Sequence, residues 1–284
     1  MFGRVDLIKD DLAPPPTRIN PAEAITRDLR TVRVMWQREM IRLLGSPFGI
    51  LLSLIMPLLF LVVLGAGLNA ALAGAPDFRA YFLPGVLLMV VQAPALNTGI
   101  SIVWDRRAGF LREMLVAPVR RSALMTGICL GGATSATAYG FLMLCVAQLI
   151  GISYHPVRLV LVVLEMLVLA LAFTALGALA AVSIKKIETF QAVVGLAMMP
   201  MVFLSGALFP VTALPSPLDR VVLANPMTYA VDAMRQTLVG GDRGMVGGPR
   251  WGGWQPPVSL EVVLVGVVAV SALVAAARRF SRVD

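Results

Sequence analysis

The chain has 284 residues, 58% of them hydrophobic and 14% charged, with a formal net charge of +8. A mean hydropathy of +0.84 exceeds what a single soluble core of this length can bury, so the composition indicates an integral membrane protein. Several unbroken apolar runs approach the roughly 20 residues that cross a bilayer as helix, and they lack the alternation of a membrane β-barrel.

Residues 1–20, with Pro14, Pro15 and Pro16, read as a mobile tail. Asn20, Pro21 and Glu23 supply a cap, a first-turn proline and an N3 acid, so a helix is expected over 21–45. Ile25, Leu29, Val32, Trp36, Met40 and Leu43 fall on one arc of it, and Arg27, Arg30 and Arg38 lie opposite. This pattern describes an interfacial amphipathic helix with Trp36 at headgroup depth. Val34 and Ile41 interrupt the basic side and suggest protein contact; a plain surface helix is the alternative. Gly45, Ser46 and Pro47 redirect the chain into the membrane body, residues 46–284.

The apolar runs place six spans at 47–71, 81–103, 123–150, 157–184, 190–209 and 258–277. The first begins too late for a secretory signal peptide, so no cleavage is expected. With six spans both termini share one side, which carries 18 of the 24 Lys and Arg residues. The positive-inside rule makes that side cytoplasmic. The net charge is thereby mostly topological, and no basic, aromatic-rich domain remains to bind nucleic acid.

Cys129 and Cys145 fall within one span, where they read as packing residues rather than metal ligands or a disulfide. His155, the only histidine, lies in a short external loop and reads as an ordinary solvated side chain rather than a proton relay. The spacing of Gly127 and Gly131 allows close helix approach. Between 210 and 257, Ser216-Pro217 and Asn225-Pro226 start two helices of about six and fourteen residues. Both are too short to span, which suggests an external helical hairpin, re-entrant or parallel to the surface; an amphipathic surface loop is the alternative.

None of the three lysines follows a glycine, so no phosphate loop is present. Clustered metal ligands and an activated nucleophile are also missing, and no catalytic, cofactor or metal site is assigned. Glu165 is the one ionisable residue well inside a span and is a candidate for the substrate path. An ion-coupled secondary transporter built on Glu165 is the rival reading, and a scaffold without transport is a third.

The loop at 104–122 is basic, yet it holds an ordered segment. Gly109 releases the chain from the second span, Phe110, Leu111, Met114 and Leu115 share an arc apart from Arg112 and Glu113, and Pro118 ends the turn. Such a short amphipathic helix suits a groove on a soluble partner.

Glu113-Met114-Leu115-Val116-Ala117-Pro118 with Gly127 resembles the "E-x-L-L-x-x-P … G" signature of ABC-2 type permeases, the membrane subunits of bacterial ATP-driven exporters. Ser205-Gly206 through Pro210, Leu214-Pro215, and Asn225-Pro226-Met227 with Tyr229 and Arg235 resemble that family's second motif. The resemblance covers about residues 25–280. It implies an all-α fold with six transmembrane helices, a cytoplasmic coupling helix at Gly109 to Pro118, and an external hairpin carrying Asn225, Pro226, Tyr229 and Arg235 near the exit. It also implies a homodimer of permeases paired with two separate ATPase subunits, which bind the ATP and Mg, in a bacterial inner or plasma membrane. Substrate would move along the permease interface. The drug and antibiotic exporter branch looks closest, and exporters of polysaccharide or lipid-linked glycan share much of the pattern. Arg112 with Met114 departs from the usual run, so partner specificity does not carry over.

Overall fold

The computed structural model describes residues 21–71, 78–107, 120–152, 154–184, 186–211, 218–239 and 247–280. Nine α-helices occupy them: α1 (Pro21–Leu44), α2 (Pro47–Ala71), α3 (Phe78–Arg107), α4 (Arg121–Leu149), α5 (Pro156–Ser183), α6 (Ile187–Phe203), α7 (Asp219–Ala224), α8 (Pro226–Val239) and α9 (Val258–Phe280). An isolated bridge pairs Trp251 with Trp254. The expected tail at 1–20 and the coupling segment from Gly109 to Pro118 lie outside the described residues.

Five helices are long and apolar enough to cross a membrane. They are α2, α3, α4, α5 and α9, and α2 begins at the expected Pro47. His155 Nδ1 accepts a hydrogen bond from Val157 N at 3.4 Å, ahead of Pro156 at the first position of α5. The lone histidine is thus a helix cap. The fifth expected span, 190–209, is shorter than its apolar run: α6 stops at Phe203, after 17 residues, about 25 Å of helix.

Helix α5 is central and packs against α3, α4, α8 and α9. Leu83, Leu87, Met143, Met166 and Phe173 belong to one buried cluster, and Ile102, Met125, Phe190 and Phe280 to a second. Helix α2 leans on α3 through buried Leu54 and Leu61, while Phe48, Met56 and Val63 on its other side are 63–71% exposed. An apolar helix face open to this degree is at home in lipid.

One end of the bundle is tied together by basic residues. Arg106 donates to Val182 O at 3.4 Å, Arg121 to Phe280 O at 3.4 Å, and Arg279 to Ser183 Oγ at 2.9 Å. Arg107 pairs with Glu188 at 3.5 Å. A backbone hydrogen bond at the start of α6, and then Arg107, hold the Glu188 carboxyl below the usual carboxylate range. At the other end, the hairpin end, Arg79 reaches Ile150 O at 3.5 Å. The 30 residues of α3 measure about 45 Å, whereas a hydrocarbon core needs about 30 Å. Counted from Arg79, that thickness ends near Gly99, and the rest of α3 and the start of α4 project beyond it as a basic stub. Pro84 and Pro94 interrupt the backbone ladder of α3 on the way.

Helix α1 docks on this stub, running alongside α4. Asp28 pairs with Arg120 at 3.3 Å, Trp36 Nε1 donates to Thr134 Oγ1 at 3.2 Å, and Arg38 pairs with Asp105 at 2.8 Å. A Cβ on Gly127 would meet Val32 and Met35 at 2.7–3.0 Å, and one on Gly131 would meet Glu39 at 2.8 Å. The Gly127 and Gly131 spacing is therefore the groove for α1. The face of α1 turned inward carries the buried Thr31 and Glu39 beside Val32 and Trp36 of the apolar arc, while Ile25 and Leu29 of that arc stay 59% and 64% exposed. Three faces result: a polar one on α4, an apolar one beside it open to lipid, and a basic one facing water. Val34 and Ile41, expected at a protein contact, are 50% and 72% exposed.

Replacing Gly131 with Leu is expected to lift α1 from α4 at a cost of about 1–3 kcal/mol, the usual penalty of overpacking. Hydrogen exchange should then speed up across α1. The same change at Gly195, where an added Cβ meets nothing within 4 Å, should leave α1 unchanged.

Candidate functional site

At the hairpin end the polar residues converge on α8. From Met227 to Arg235 every residue of this helix is buried, so it is enclosed by protein rather than laid on a surface. Its depth follows from its partners. Thr237 Oγ1 donates to Glu165 Oε1 at 2.6 Å, and Glu165 lies nine residues into α5, about 14 Å along the helix. Non-helical chain and short helices at such depth need protein on all sides to satisfy their backbone.

The short α6 and the α7–α8 pair complete one another. The last carbonyls of a helix lack intrahelical partners, and here the hairpin provides them. Asn225 Nδ2 donates to Met201 O at 2.7 Å, and Thr228 Oγ1 to Leu204 O at 3.3 Å. Arg235 Nη2 donates to Gly206 O at 2.6 Å. Gly206 itself adopts φ +75°, a left-handed turn that suits glycine and stops the helix inside the apolar run. Asn225 also caps α8, accepting from Met227 N at 3.1 Å through Oδ1, with Pro226 in the first helical position. Tyr229 OH donates to Leu223 O at 2.7 Å and accepts from Trp251 Nε1 at 3.0 Å. All four hairpin residues singled out in the sequence, Asn225, Pro226, Tyr229 and Arg235, thus hold this one structure together.

Arg235 is 1% exposed, and no carboxylate lies within ion-pair distance of it among the described residues. Its guanidinium instead stacks on the Tyr81 ring of α3 at 4.2 Å, a contact worth about 2 kcal/mol when desolvated. Glu165, Asp232 and Glu261 are 9%, 1% and 0% exposed, and Gln236 bridges two of them, donating to Asp232 at 2.8 Å and to Glu261 at 3.3 Å. No cluster with metal-binding geometry occurs among the described residues. Glu165 links α5 to α8 through Thr237, and its Oε2 is buried without a hydrogen-bond partner.

Asp232, Gln236, Thr237 and Glu261 were not picked out from the sequence. Asp232 and Gln236 lie one helical turn apart, as do Asp232 and Arg235, and that spacing was the available signal. Glu261 lay in the opening turn of the last span, where an acid looks like a boundary residue.

The loop holding Gly109, Phe110, Leu111, Arg112, Glu113, Met114, Leu115 and Pro118 lies outside the described residues, but both its anchors are placed. Arg106 and Arg107 tie the end of α3 to α5 and α6, and Arg120 and Arg121 tie the start of α4 to α1 and α9. Four topological arginines thus also fix where the loop leaves the bundle.

Residues 30–239 match the family model described as ABC-2 type transporter, a span running from α1 to the end of α8. A 108-residue stretch is 31% identical to Nodulation protein J of Rhizobium leguminosarum bv. viciae, covering 38% of this chain and 41% of that protein. The alignment thus spans less than half of that relative's length.

Tyr81→Leu and Arg235→Met are each expected to destabilise the purified protein. Because both remove the same stack, the double variant should fall short of the sum by about 1–2 kcal/mol. Denaturation of the four proteins in one detergent provides the cycle, and additive losses would dissociate the two residues.

Proposed function

The chain belongs to the ABC-2 type transporter family, and we propose that it is the permease subunit of an ATP-binding cassette exporter that moves hydrophobic or amphipathic compounds out of the cytoplasm. The observation that carries this reading is the family match across the helical membrane body in a chain without a phosphate loop. Energy must then reach these helices from another polypeptide.

The loop at 108–119 is the site where a cytoplasmic ATPase docks. The basic end is the cytoplasmic one, in keeping with the charge distribution, and the hairpin faces outward. Support for the docking role comes from the loop's anchors, since α3 and α4 both enter it from the projecting stub that α1 braces. ATP and Mg belong to the partner, and this chain contributes binding, alignment and the path. A second permease copy would find apolar surface on α2, whose outward residues contact little of their own chain. Α6 crosses the inner part of the bilayer and the hairpin fills the remainder, which completes a six-span topology with both termini inside.

Glu165 serves this design as an anchor for α8, through Thr237. An ion-coupled mechanism would require it to exchange protons with the transport path, whereas its observed partner is a hydroxyl on the packed hairpin.

Leu111→Asp and Leu115→Asp should each abolish ATP-dependent efflux and co-purification of the ATPase, with membrane insertion unchanged. Efflux from vesicles that survives ATP depletion and collapses with an uncoupler would reject the ATP-driven mechanism.

A further inference from the structure

A second polar site lies away from the hairpin, where the top of α1 meets α3 and α4. A cavity of about 180 Å3 opens there, with Glu39 and Arg42 of α1, Asn97 and Thr98 of α3, and Ser135 and Tyr139 of α4 in its wall. Leu43 and Pro94 supply its apolar side.

The position of this cavity in the bilayer follows from helix lengths. Asn97 is eighteen residues from Arg79, about 27 Å, so it sits just inside the inner edge of the hydrocarbon layer. Tyr139 is eleven residues from Ile150, about 16 Å, and so lies near the middle. Glu39 and Arg42 reach the inner edge because α1 climbs along α4. The cavity therefore begins at headgroup level and rises through half a leaflet or more.

Hydrogen bonding in the cavity is incomplete. Asn97 is exposed and Tyr139 half-buried, and neither side chain has a hydrogen-bond partner among the described residues. Ser135 Oγ donates to Gly132 O at 2.9 Å, which leaves its oxygen free to accept. Leaving an amide or hydroxyl unmatched in an apolar medium costs on the order of 1–3 kcal/mol each in proteins. Lipid tails offer these groups nothing.

Charge narrows the occupant. Arg42 pairs with Glu39 at 3.3 Å, and Arg38 with Asp105 at 2.8 Å, so two cations face two anions. A phosphate or carboxylate would meet the Glu39 charge with no spare cation in the wall. Asn97, Tyr139, Ser135 and Glu39 together offer acceptors and donors in a graded column, which hydroxyl groups match because each can donate and accept.

We propose that this cavity binds the neutral, polyhydroxylated head of an amphipathic molecule drawn from the leaflet at the basic end, its alkyl tail remaining in the bilayer. The site rests on the placement of the helices in the membrane and goes beyond the exporter reading. Asn97 and Tyr139 supply the head's hydrogen bonds, and Arg42 with Glu39 closes the headgroup end.

The test uses the full chain in phosphatidylcholine nanodiscs and two photoreactive probes with the same diazirine-bearing dodecyl tail, one a β-glucoside and the other a phosphocholine. The glucoside should label peptides containing residues 94–98 or 135–139, unlabelled dodecyl glucoside should compete, and the phosphocholine should label them at least fivefold less. Tyr139→Phe and Asn97→Leu should each reduce glucoside labelling about fivefold, and together by more than tenfold. Equal labelling by both probes, or labelling unchanged in Tyr139→Phe and Asn97→Leu, would overturn the assignment. Glucoside labelling without ATP-driven efflux of any amphipath would reject the exporter reading alone, and efflux without glucoside labelling would reject the cavity site alone.

Discussion

Helix α8 is too short to cross a bilayer and too polar to face lipid, yet it sits well below the hairpin end of the bundle. It can do so because every side of it meets protein, and because Asn225, Thr228, Tyr229, Arg235 and Thr237 find hydrogen-bond partners there, although Arg235 Nε and Asp232 Oδ1 are buried without one. Arg235 is the centre of that match. Its guanidinium lies on Tyr81 of α3 and bonds to Gly206 O beyond α6, so a single buried side chain from α8 joins two other parts of the bundle. A cation buried without a carboxylate partner is costly unless its hydrogen bonds and its aromatic contact are in place together. The hairpin is therefore held in one position rather than resting loosely on the surface.

The opposite end obeys a different requirement. Little hydrophobic force draws helices together within lipid, so close backbone approach matters more there than apolar area. Helix α1 uses it at Gly127 and Gly131, then adds the ion pairs to Arg120 and Asp105. Bracing of this kind gives α3 and α4 lateral support where they leave the hydrocarbon, at the point from which the chain enters residues 108–119.

The sequence made the helices legible because their signals are local. Apolar runs, prolines after cap residues, and glycine breaks placed α2 and α8 at their observed starts, and the two motifs pointed to the family; α7 begins at Asp219, beyond the expected Ser216-Pro217 start, which lies outside the described residues. Less was legible where the outcome depends on which faces meet. Glu39 and Thr31 are buried because α1 turns them onto α4, a contact that an apolar arc directed at the leaflet did not disclose. The run 190–209 read as one span because residues 204–209 are mostly apolar. The structure ends the helix at Phe203, since Asn225, Thr228 and Arg235 capture the carbonyls there, and those captors are more than twenty residues away. The Gly127 and Gly131 spacing was visible, but its partner was not. For Glu165, intramembrane position was readable, and the bond to Thr237 that gives it a packing role was not.

The two prolines of α3 have a mechanical consequence. Each removes a backbone hydrogen bond and lowers the bending stiffness locally, so α3 behaves as three struts with two joints. The segment from Pro94 to Arg107 is about 20 Å long, and a swing of 10° about the Pro94 joint moves its far end by roughly 3 Å without disturbing the strut that carries Leu87 and Val91. The joint at Pro84 stands next to Tyr81. A push delivered at Arg107 thus reaches the Arg235 stack only if both joints stiffen, and the packing around Pro94 and Pro84 decides whether the helix transmits force or absorbs it.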